Sequence, residues 1–285
     1  MTILFDGVAY GMLLFILAVG LSVTLGLMNF INLAHGAFAM AGGYVAVILA
    51  QRAGVSLFGG MAIAFVATAL AGAVLERTLY KYLYDRSHLD QVLFTIGLTF
   101  MAMAAADYFM GASPQIVNVP DALNGRIHIG ALSLDRYRLF VIILCGLLTL
   151  GLQAGLTYTR FGARLRASVD NARAARGLGI DVTKLFTFTF AIGCGLAGLG
   201  GALGAPILSI DPGFPIKYMI YFLIVIAVGG TSTITGPFLA ALLLGIADVA
   251  GKYYAPEIGG FIIYTIMVLV LIVRPQGLFG RMAKT

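Results

Sequence analysis

Charged residues are scarce in this sequence. Its 285 residues include 18 Lys and Arg and 12 Asp and Glu, or 11% of the chain, whereas an ordinary soluble domain has about 25%. Apolar residues make up 60%. This composition excludes a soluble enzyme with a single core. A membrane span needs about 20 apolar residues, so the chain can supply about eight or nine spans.

Cysteine is nearly absent, since the chain has only Cys145 and Cys194. Both lie in apolar runs, and two cysteines build neither a disulfide framework nor a four-ligand zinc site. We expect both to be small core residues. The chain also has no Lys or Arg before Arg52. Its apolar start therefore lacks the basic region of a secretory signal, and we expect that first segment to be retained.

The sequence also lacks the common catalytic and nucleotide-binding motifs. The sequence contains no G-x-x-x-x-G-K-[ST] phosphate loop, no G-x-S-x-G and no H-E-x-x-H, and its three histidines are scattered. Residues 193–198 match G-x-G-x-x-G by letter, but no strand precedes them. We therefore expect no enzyme activity, no metal site and no cofactor in this chain, and any ATP-driven work belongs to a partner. The net charge of +6 is assigned to membrane topology, not to nucleic-acid binding.

Long apolar runs predict an all-α polytopic membrane protein with about eight or nine transmembrane helices in one domain, residues 1–285. The runs are continuous rather than alternating, which excludes a β-barrel. Some runs are short for a hydrocarbon core of about 30 Å, so we expect short or broken helices at 34–50, 216–230 and 259–273. The predicted segments are 7–27, 34–50, 57–76, 90–110, 138–158, 185–208, 216–230, 234–251 and 259–273.

Basic residues predict the orientation of these segments. They cluster after the third, fifth and last segments, and cytoplasmic loops carry an excess of Lys and Arg. Even numbers of segments separate the clusters, so all three can share the cytoplasmic side. We expect the N-terminus and loop 111–137 outside and the C-terminus in the cytoplasm. The clusters are Arg77, Lys81 and Arg86; Arg160, Arg164, Arg166, Arg173, Arg176 and Lys184; and Arg274, Arg281 and Lys284.

Glycine is abundant, with 37 residues, which is about twice its usual share. Gly7 with Gly11, and Gly200 with Gly204, fit the G-x-x-x-G pattern that lets helix backbones approach closely. We expect other glycines to interrupt helices, around Gly36 and from 229 to 236.

Polar residues interrupt the apolar pattern at two places, residues 26–36 and 229–237. Non-helical backbone at membrane depth persists only where protein or a water-filled cavity satisfies it. Paired interruptions in two halves indicate a transport pathway, while two tight loops near the cytoplasmic surface are the alternative. His35 has no acid near it in sequence, which favours a hydrogen-bonded brace over a proton carrier. The candidate pathway or gating residues are Asn29, Asn32 and His35 in the first place, and Thr231, Ser232 and Thr233 in the second.

A second set of polar residues lies on one face of the fourth segment. Gln91, Thr95 and Thr99 recur at a spacing of four, so they are further candidates for lining a polar path. Hydrogen bonds from the threonine hydroxyls to their own helix are the alternative. Asp107 and Asp248 are the carboxylates nearest to membrane depth, and for both we favour a structural role near a helix end.

Loop 159–184 is predicted to dock a cytoplasmic partner. It holds six of the 18 Lys and Arg residues and only two acids. We expect Asp170 to cap a short helix over residues 171–176, which the flexible residues 177–179 end. A loop resting on anionic headgroups is the alternative, and it explains the arginines but not the alanines of a capped helix. The expected contact residues are Asp170, Asn171, Arg173, Ala174, Ala175, Arg176, Gly177 and Gly179.

Five motifs in order resemble one family over nearly the whole chain. They are Asn32-Leu33-Ala34-His35-Gly36 followed by Met40-Ala41-Gly42-Gly43-Tyr44; the loop from Arg160-Phe161-Gly162 through Arg166-Ala167 to Gly177-Leu178-Gly179-Ile180; Gly229-Gly230 through Gly236-Pro237; Leu244-Gly245-Ile246-Ala247-Asp248; and Arg274-Pro275-Gln276-Gly277-Leu278-Phe279-Gly280. In these the chain is similar to the LivH-type permeases of branched-chain amino acid ABC importers. It departs from the family pattern at Ser232, Thr233 and Asp248, which leaves the cargo open among branched-chain amino acids, amides, urea and aromatic acids.

The resemblance implies a membrane subunit of an ATP-driven importer in the bacterial inner membrane. A second, LivM-like permease would complete the path, two cytoplasmic ATPases with their ATP and Mg would drive it, and a periplasmic binding protein would deliver the solute. Loop 159–184 would couple this chain to the ATPases. Membrane lipid would be its other partner.

Two other classes of function remain as alternatives to an importer subunit. In a self-sufficient secondary transporter or channel, His35, Asp107 or Asp248 would couple ions to transport. A membrane-embedded enzyme would need a convergent nucleophile, metal or acid/base pair, and the sequence offers no such set.

Overall fold

The computed structural model describes residues 2–84, 86–129, 132–230 and 233–279. Within them the chain forms eleven α-helices and one two-stranded hairpin. The helices are α1 Thr2–Met28, α2 His35–Ala53, α3 Leu57–Thr78, α4 His88–Met110, α5 Arg136–Tyr158, α6 Arg160–Asp170, α7 Ala172–Gly177, α8 Val182–Leu208, α9 Phe214–Gly229, α10 Thr235–Tyr254 and α11 Ile262–Val273; the strands are β1 Arg126–Ile129 and β2 Leu132–Asp135. Short 3-10 turns span Tyr80–Tyr82, Asp121–Leu123 and Gly259–Phe261.

Each of the nine predicted apolar segments corresponds to a helix. In the described residues seven helices are long and apolar enough to cross a membrane, namely α1 to α5, α8 and α10. The predicted short segments 216–230 and 259–273 are indeed short, as α9 and as the last apolar helix Gly259–Val273. The chain is therefore an all-α polytopic membrane protein. Which end faces the cytoplasm stays a prediction.

The segment at 34–50 is longer than predicted. The helix α2 runs from His35 to Ala53 and has 19 residues, enough to span. It ends at Gly54, which has φ of 60° and donates its backbone N–H to the Leu49 carbonyl oxygen. A left-handed glycine of this kind closes a helix without the steric cost that a Cβ would add. The last turn of α2 contains polar residues, so hydropathy alone predicts a helix end that is too early.

Helix α8 lies at the centre of the bundle, packed against α1, α2 and α3. Glycines make these contacts close. A Cβ on Gly42 of α2 would overlap the backbone of Gly198, and a Cβ on Gly201 would overlap the carbonyl oxygen of Ala39. Lipid tails are as apolar as leucine, so close van der Waals packing is what holds such helices together.

The predicted role of Gly7 and Gly11 in close packing is confirmed. A Cβ on Gly7 would lie 2.7 Å from the Ile246 Cα, and one on Gly11 2.7 Å from the Ala241 carbonyl oxygen, both in α10. The helices are interrupted near Gly36 as predicted, at residues 29–34, but Gly36 itself is not part of the interruption. Gly36 lies in the first turn of α2, where a Cβ would be 2.9 Å from the Pro215 carbonyl oxygen.

The loop between α4 and α5 contains structure that the sequence argument missed. Strands β1 and β2 pair antiparallel, with Arg126 opposite Asp135. Asp135 then caps α5, because its carboxylate accepts a hydrogen bond from the Arg138 backbone N–H at 3.0 Å. Backbone bonds of 2.7 and 2.8 Å between Gln115 and Ile210 tie this loop to the connection between α8 and α9.

The close contact of α2 with α8 generates a first prediction. Gly42→Ala adds a Cβ where the backbone of Gly198 already lies, and overpacking of this kind costs about 1–3 kcal/mol. Thermal unfolding of the purified protein in detergent should therefore move to lower temperature.

Gly97→Ala is the matched control for this substitution. Its Cβ would meet nothing within 4 Å, so unfolding should stay at the wild-type temperature or rise slightly with helix propensity. Equal stability of both variants would show that the contact between α2 and α8 is looser than described.

Candidate functional site

The first predicted interruption is a buried, non-helical segment. Residues 29–34 separate α1 from α2, and Phe30 and Asn32 within them are fully buried. Asn29 is exposed and has φ of 50°, a left-handed conformation that asparagine tolerates better than most residues. This segment, residues 29–34, is called the α1–α2 break below. Its peptide groups need partners because helix bonds do not satisfy them.

Side chains of α4 supply those partners. The Ile31 backbone N–H donates to Gln91 Oε1 at 3.2 Å, and the Leu33 backbone N–H donates to Thr95 Oγ1 at 3.2 Å. The predicted polar face of α4 is therefore turned towards the α1–α2 break. The third member, Thr99, donates only to the Thr95 carbonyl oxygen of its own helix. This geometry gives Gln91 and Thr95 a bracing role, and a role in lining a path stays a prediction.

Two further side chains hold the α1–α2 break from other directions. The Tyr80 hydroxyl donates to Asn32 Oδ1 at 3.3 Å, while Asn32 Nδ2 has no partner among the described residues. His35 donates from Nε2 to the Leu17 carbonyl oxygen at 2.9 Å. A Cβ on Gly20 would lie 2.5 Å from the His35 ring, so the glycine leaves room for this contact. His35 is thus hydrogen bonded to α1 as a brace would be.

The second predicted interruption is closed by the C-terminal segment. Thr231 and Ser232 lie outside the described residues. Thr233 Oγ1 accepts a hydrogen bond from the Gly236 backbone N–H at 3.2 Å. The Leu278 backbone N–H donates to the Val228 carbonyl oxygen at 2.8 Å. Both interruptions therefore lie at the end of the bundle that carries the basic clusters around Lys81 and Arg274.

Loop 159–184 contains two helices, α6 and α7, where one was predicted. Thr159 caps α6 by accepting from the Gly162 backbone N–H at 3.2 Å. The prediction that Asp170 caps the second helix is wrong. Asp170 is the last residue of α6, and the cap is Asn171, whose Oδ1 accepts from the Ala174 backbone N–H at 2.9 Å. Asparagine is as good a cap as aspartate, so sequence preference does not separate the two.

Most predicted docking residues on α7 are exposed. Arg173, Ala174, Arg176 and Gly177 face outward, and Ala175 is buried against the body of the protein. Gly179 has φ of 80° and ends this segment. The buried alanine fixes α7 to the bundle, while the side chains of both arginines are exposed. Docking of a partner here stays a prediction.

Only residues 178–181 separate α7 from α8. Asp181 caps α8, and hydrogen bonds from the Lys184 backbone N–H and side chain lower the pKa of its carboxyl group. A groove of about 490 Å³ runs between α6 and the start of α8, and Leu178, which is 81% exposed, lines its edge. A displacement of α6 and α7 would therefore act on the first turns of α8.

A buried carboxylate connects the start of α8 with the α3–α4 connection. Glu76 of α3 is 1% exposed. The Thr187 hydroxyl donates to its Oε2 at 2.6 Å, and the Tyr84 hydroxyl donates to its Oε1 at 2.9 Å. Burial and, to a lesser extent, the negative charge of Glu76 raise the pKa of Tyr84 above its ordinary value. Tyr84 thus remains a neutral hydroxyl donor to this carboxylate.

Aromatic rings continue from that carboxylate to the α1–α2 break. The Tyr84 and Phe30 rings meet edge to face with centroids 5.4 Å apart, and Phe30 meets Tyr80 at 5.5 Å. We call Thr187, Glu76, Tyr84, Phe30 and Tyr80 the Glu76 cluster. Sequence reasoning missed all five residues. The one signal in the sequence was Glu76 itself, an acidic residue at the end of the third apolar segment and next to Arg77.

Asp107 and Asp248, the other two acids near membrane depth, differ in burial and in hydrogen bonding. Asp107 is exposed near the end of α4. Asp248 is buried in α10 and accepts a hydrogen bond from Lys252 at 2.6 Å, one helix turn away. The described residues contain no group of three or more His, Cys, Asp or Glu side chains that would hold a metal ion.

Known proteins resemble the chain over almost its full length. Residues 3–271 match the family model described as the permease component of branched-chain amino acid transport systems. Similar proteins include the high-affinity branched-chain amino acid permease BraD of Pseudomonas aeruginosa, 26% identical over 98% of this chain and 95% of its own length. LivH of Escherichia coli K12 is 26% identical over 98% and 94%, and the probable LivH of Methanocaldococcus jannaschii is 30% identical over 98% and 92%.

No solved structure matches the chain. The family match, the order of the motifs and the seven membrane-length helices all agree with the resemblance seen in the sequence. The chain is a multi-pass membrane protein that belongs to the family of permease components of branched-chain amino acid transport systems, a family of transport subunits rather than enzymes.

Proposed function

We propose that this chain is the permease subunit of an ATP-driven importer of branched-chain amino acids or of a related small solute. It would pair with a second permease, receive solute from a periplasmic binding protein and be driven by two cytoplasmic ATPases that bind ATP and Mg. Amides, urea and aromatic acids are the other cargoes to be tested. The observation that carries the proposal is the capped basic helix α7, exposed at one end of the bundle and joined directly to its central helix.

The proposed coupling begins at α7. Arg173 and Arg176 offer charge to an acidic groove on the ATPase, and Ala174 between them allows close approach of the partner. Movement of α7 passes to α8 because Asp181 caps α8 and Ala175 is buried. The rigid contacts of α8 with α1, α2 and α3 then carry the movement into the membrane, as in shear between packed helices.

The Glu76 cluster is proposed to carry part of this movement to the α1–α2 break. Thr187 lies in the second turn of α8, and its bond to Glu76 makes the cluster sensitive to the position of that helix. At the far end of the cluster, Tyr80 holds Asn32. A shift of α8 therefore changes the support of the break, and a change of that support is the proposed gating step.

A self-sufficient transporter or channel makes a different prediction from an importer subunit. It would transport solute in liposomes containing this chain alone, driven by an ion gradient and indifferent to ATP. The importer requires the ATPases and ATP in the same assay. Uptake of leucine, an amide, urea and an aromatic acid by the complete system then identifies the cargo.

Reversal of charge on α7 should uncouple the importer. Arg173→Glu with Arg176→Glu should lower ATP-dependent uptake in proteoliposomes at least about fivefold, because a coupling free energy of about 1–3 kcal/mol depends on this contact. ATPase activity should persist but lose its dependence on solute. The permease should remain in the membrane, since both side chains are exposed.

Lys81→Glu with Arg86→Glu is the matched control, because it reverses two exposed charges at the same end of the bundle. Its uptake should remain near that of the wild type. Unchanged transport in the α7 variant, or equal loss in both variants, would contradict docking at α7.

Support of the α1–α2 break provides a further prediction. Thr95→Val removes the acceptor for the Leu33 N–H and should lower stability by about 1–3 kcal/mol, the cost of an unsatisfied buried donor. Uptake at permissive temperature should fall with it, because the break is the proposed gate. Thermal unfolding in detergent and ATP-dependent uptake measure the two effects.

Thr99→Val makes the same change one turn further along α4. The Thr99 hydroxyl donates only within its own helix, so both stability and uptake should stay close to wild type. If Thr95→Val unfolds early yet transports normally, the break is a structural loop and not a gate.

A further inference from the structure

A pocket lined by both charged and apolar side chains lies at the end of the bundle opposite α7. It is formed where α1, α5 and α9 begin and where α8 and α10 end, and its volume is about 310 Å³. Small-molecule sites span about 300–1,000 Å³, so this pocket suits a small solute. Five charged side chains gather here, in a chain that has little charge elsewhere at membrane depth: Asp6, Arg138, Lys217, Asp248 and Lys252.

Asp248 is the deepest of these five groups. It is 2% exposed, and its Oδ2 accepts the hydrogen bond from Lys252 at 2.6 Å. Its other oxygen, Oδ1, is buried and has no hydrogen-bond partner among the described residues. A buried carboxylate oxygen without a donor is costly and rare. The natural complement is a ligand that brings its own N–H donors, above all an ammonium group.

Of the three cations at this pocket, two form ion pairs among the described residues and the third does not. Arg138 forms an ion pair with Asp6 at 2.5 Å, and Lys252 is held by Asp248. Lys217 is exposed, and among the described residues it forms no ion pair; its Nζ lies 5.3 Å from the centre of the Tyr218 ring. The pocket therefore has one surplus positive charge at its rim, and it is lined by Asp248, one of whose carboxylate oxygens is buried without a hydrogen-bond partner among the described residues.

Apolar surface completes the lining. Ala9, Ile207, Leu208 and Val249 face the pocket beside the rings of three tyrosines. A solute that carries an ammonium and a carboxylate on one carbon, with an aliphatic side chain, matches each part of this surface. Urea and simple amides lack the carboxylate, and aromatic acids lack the ammonium, so neither class uses both charged features.

We propose that this pocket is a receiving site for a zwitterionic α-amino acid, with the ammonium at Asp248 Oδ1 and the carboxylate at Lys217. The choice of an amino acid as the ligand rests on the proposed function; the site itself rests on the arrangement of charges. Lys252 already shares the Asp248 carboxylate, so binding is weak. Weak binding lets a solute leave the site again, as a transport path requires.

Binding to the purified permease can be measured by thermal stabilisation and calorimetry, with L-leucine, N-acetyl-L-leucine and L-leucinamide as probes. The wild type should bind leucine about tenfold or more tightly than either analogue, since each analogue lacks one charge. Lys217→Gln should bind leucine and leucinamide alike. Asp248→Asn should bind leucine and N-acetyl-leucine alike.

Asp107→Asn is the matched control, because it neutralises an exposed acid of α4 that does not line the pocket; leucine binding should be unchanged. Lys217 is exposed, so its variant keeps the test decisive even if Asp248→Asn fails to fold. Equal binding of the three probes to the wild type, or wild-type discrimination by Lys217→Gln, would overturn the site.

ATP-dependent uptake by the complete importer separates this proposal from the proposed function. Leucine uptake that is unaffected by Lys217→Gln would refute the site and leave the importer standing. Discriminating binding of leucine without ATP-dependent uptake would support the site and refute the importer.

Discussion

Close approach of helix backbones around α8 is the constraint on which the rest of the structure depends. In lipid there is no hydrophobic gain from bringing two apolar helices together, so packing has to hold the bundle. At Gly42, Gly198 and Gly201 the backbones are so near that a Cβ would overlap the neighbouring chain. The centre of the protein is therefore a rigid element whose first turns follow directly after α7. A rigid centre of this kind is able to convert movement at one end into movement at the other.

Many of the few charged residues of the chain lie at three places in the bundle. At one end of the bundle, the arginines of α7 are exposed, and within the part of the chain that the structure describes they form no ion pair. At the other end, acids and bases meet in a pocket, where Asp6 pairs with Arg138 and Asp248 with Lys252. Glu76 lies near the α7 end, next to the start of α8, and the Tyr84 and Thr187 hydroxyls donate hydrogen bonds to its carboxylate. Under the proposed function, these three arrangements would serve docking of a partner, recognition of a solute and mechanical connection.

Much of the fold was predictable from sequence because spans need long apolar runs. Nine segments, two of the three expected short helices and the packing of Gly7 and Gly11 followed from length, hydropathy and glycine spacing. The spacing of Gln91, Thr95 and Thr99 indicated a common face, but only the structure shows that this face supports Ile31 and Leu33. Sequence separation of about sixty residues hides such a pairing.

The features that were not predicted from the sequence also have specific physical causes. The strands β1 and β2 have four residues each, too few for alternation to be seen. Asp170 and Asn171 are both good caps, so the choice between them depends on where α6 ends. Asp248 was assigned a structural role at a helix end, and its pairing with Lys252 fits that role. The unsatisfied Oδ1 in a pocket is a property of the assembled helices and not of the sequence around it.

The dependence of the α1–α2 break on α4 also affects how the protein is made. The acceptor for the Ile31 N–H is synthesised 60 residues after it, which at about 5–20 residues per second is a delay of roughly three to twelve seconds. During that interval the break has no protein partner for this peptide group and has to remain hydrated. The most deeply buried side chains of α4, those of Gln91, Thr95 and Thr99, are all polar, so docking of α4 brings the hydrogen-bond partners that replace this water. The α1–α2 break therefore acquires its final hydrogen bonds only when α4 has docked.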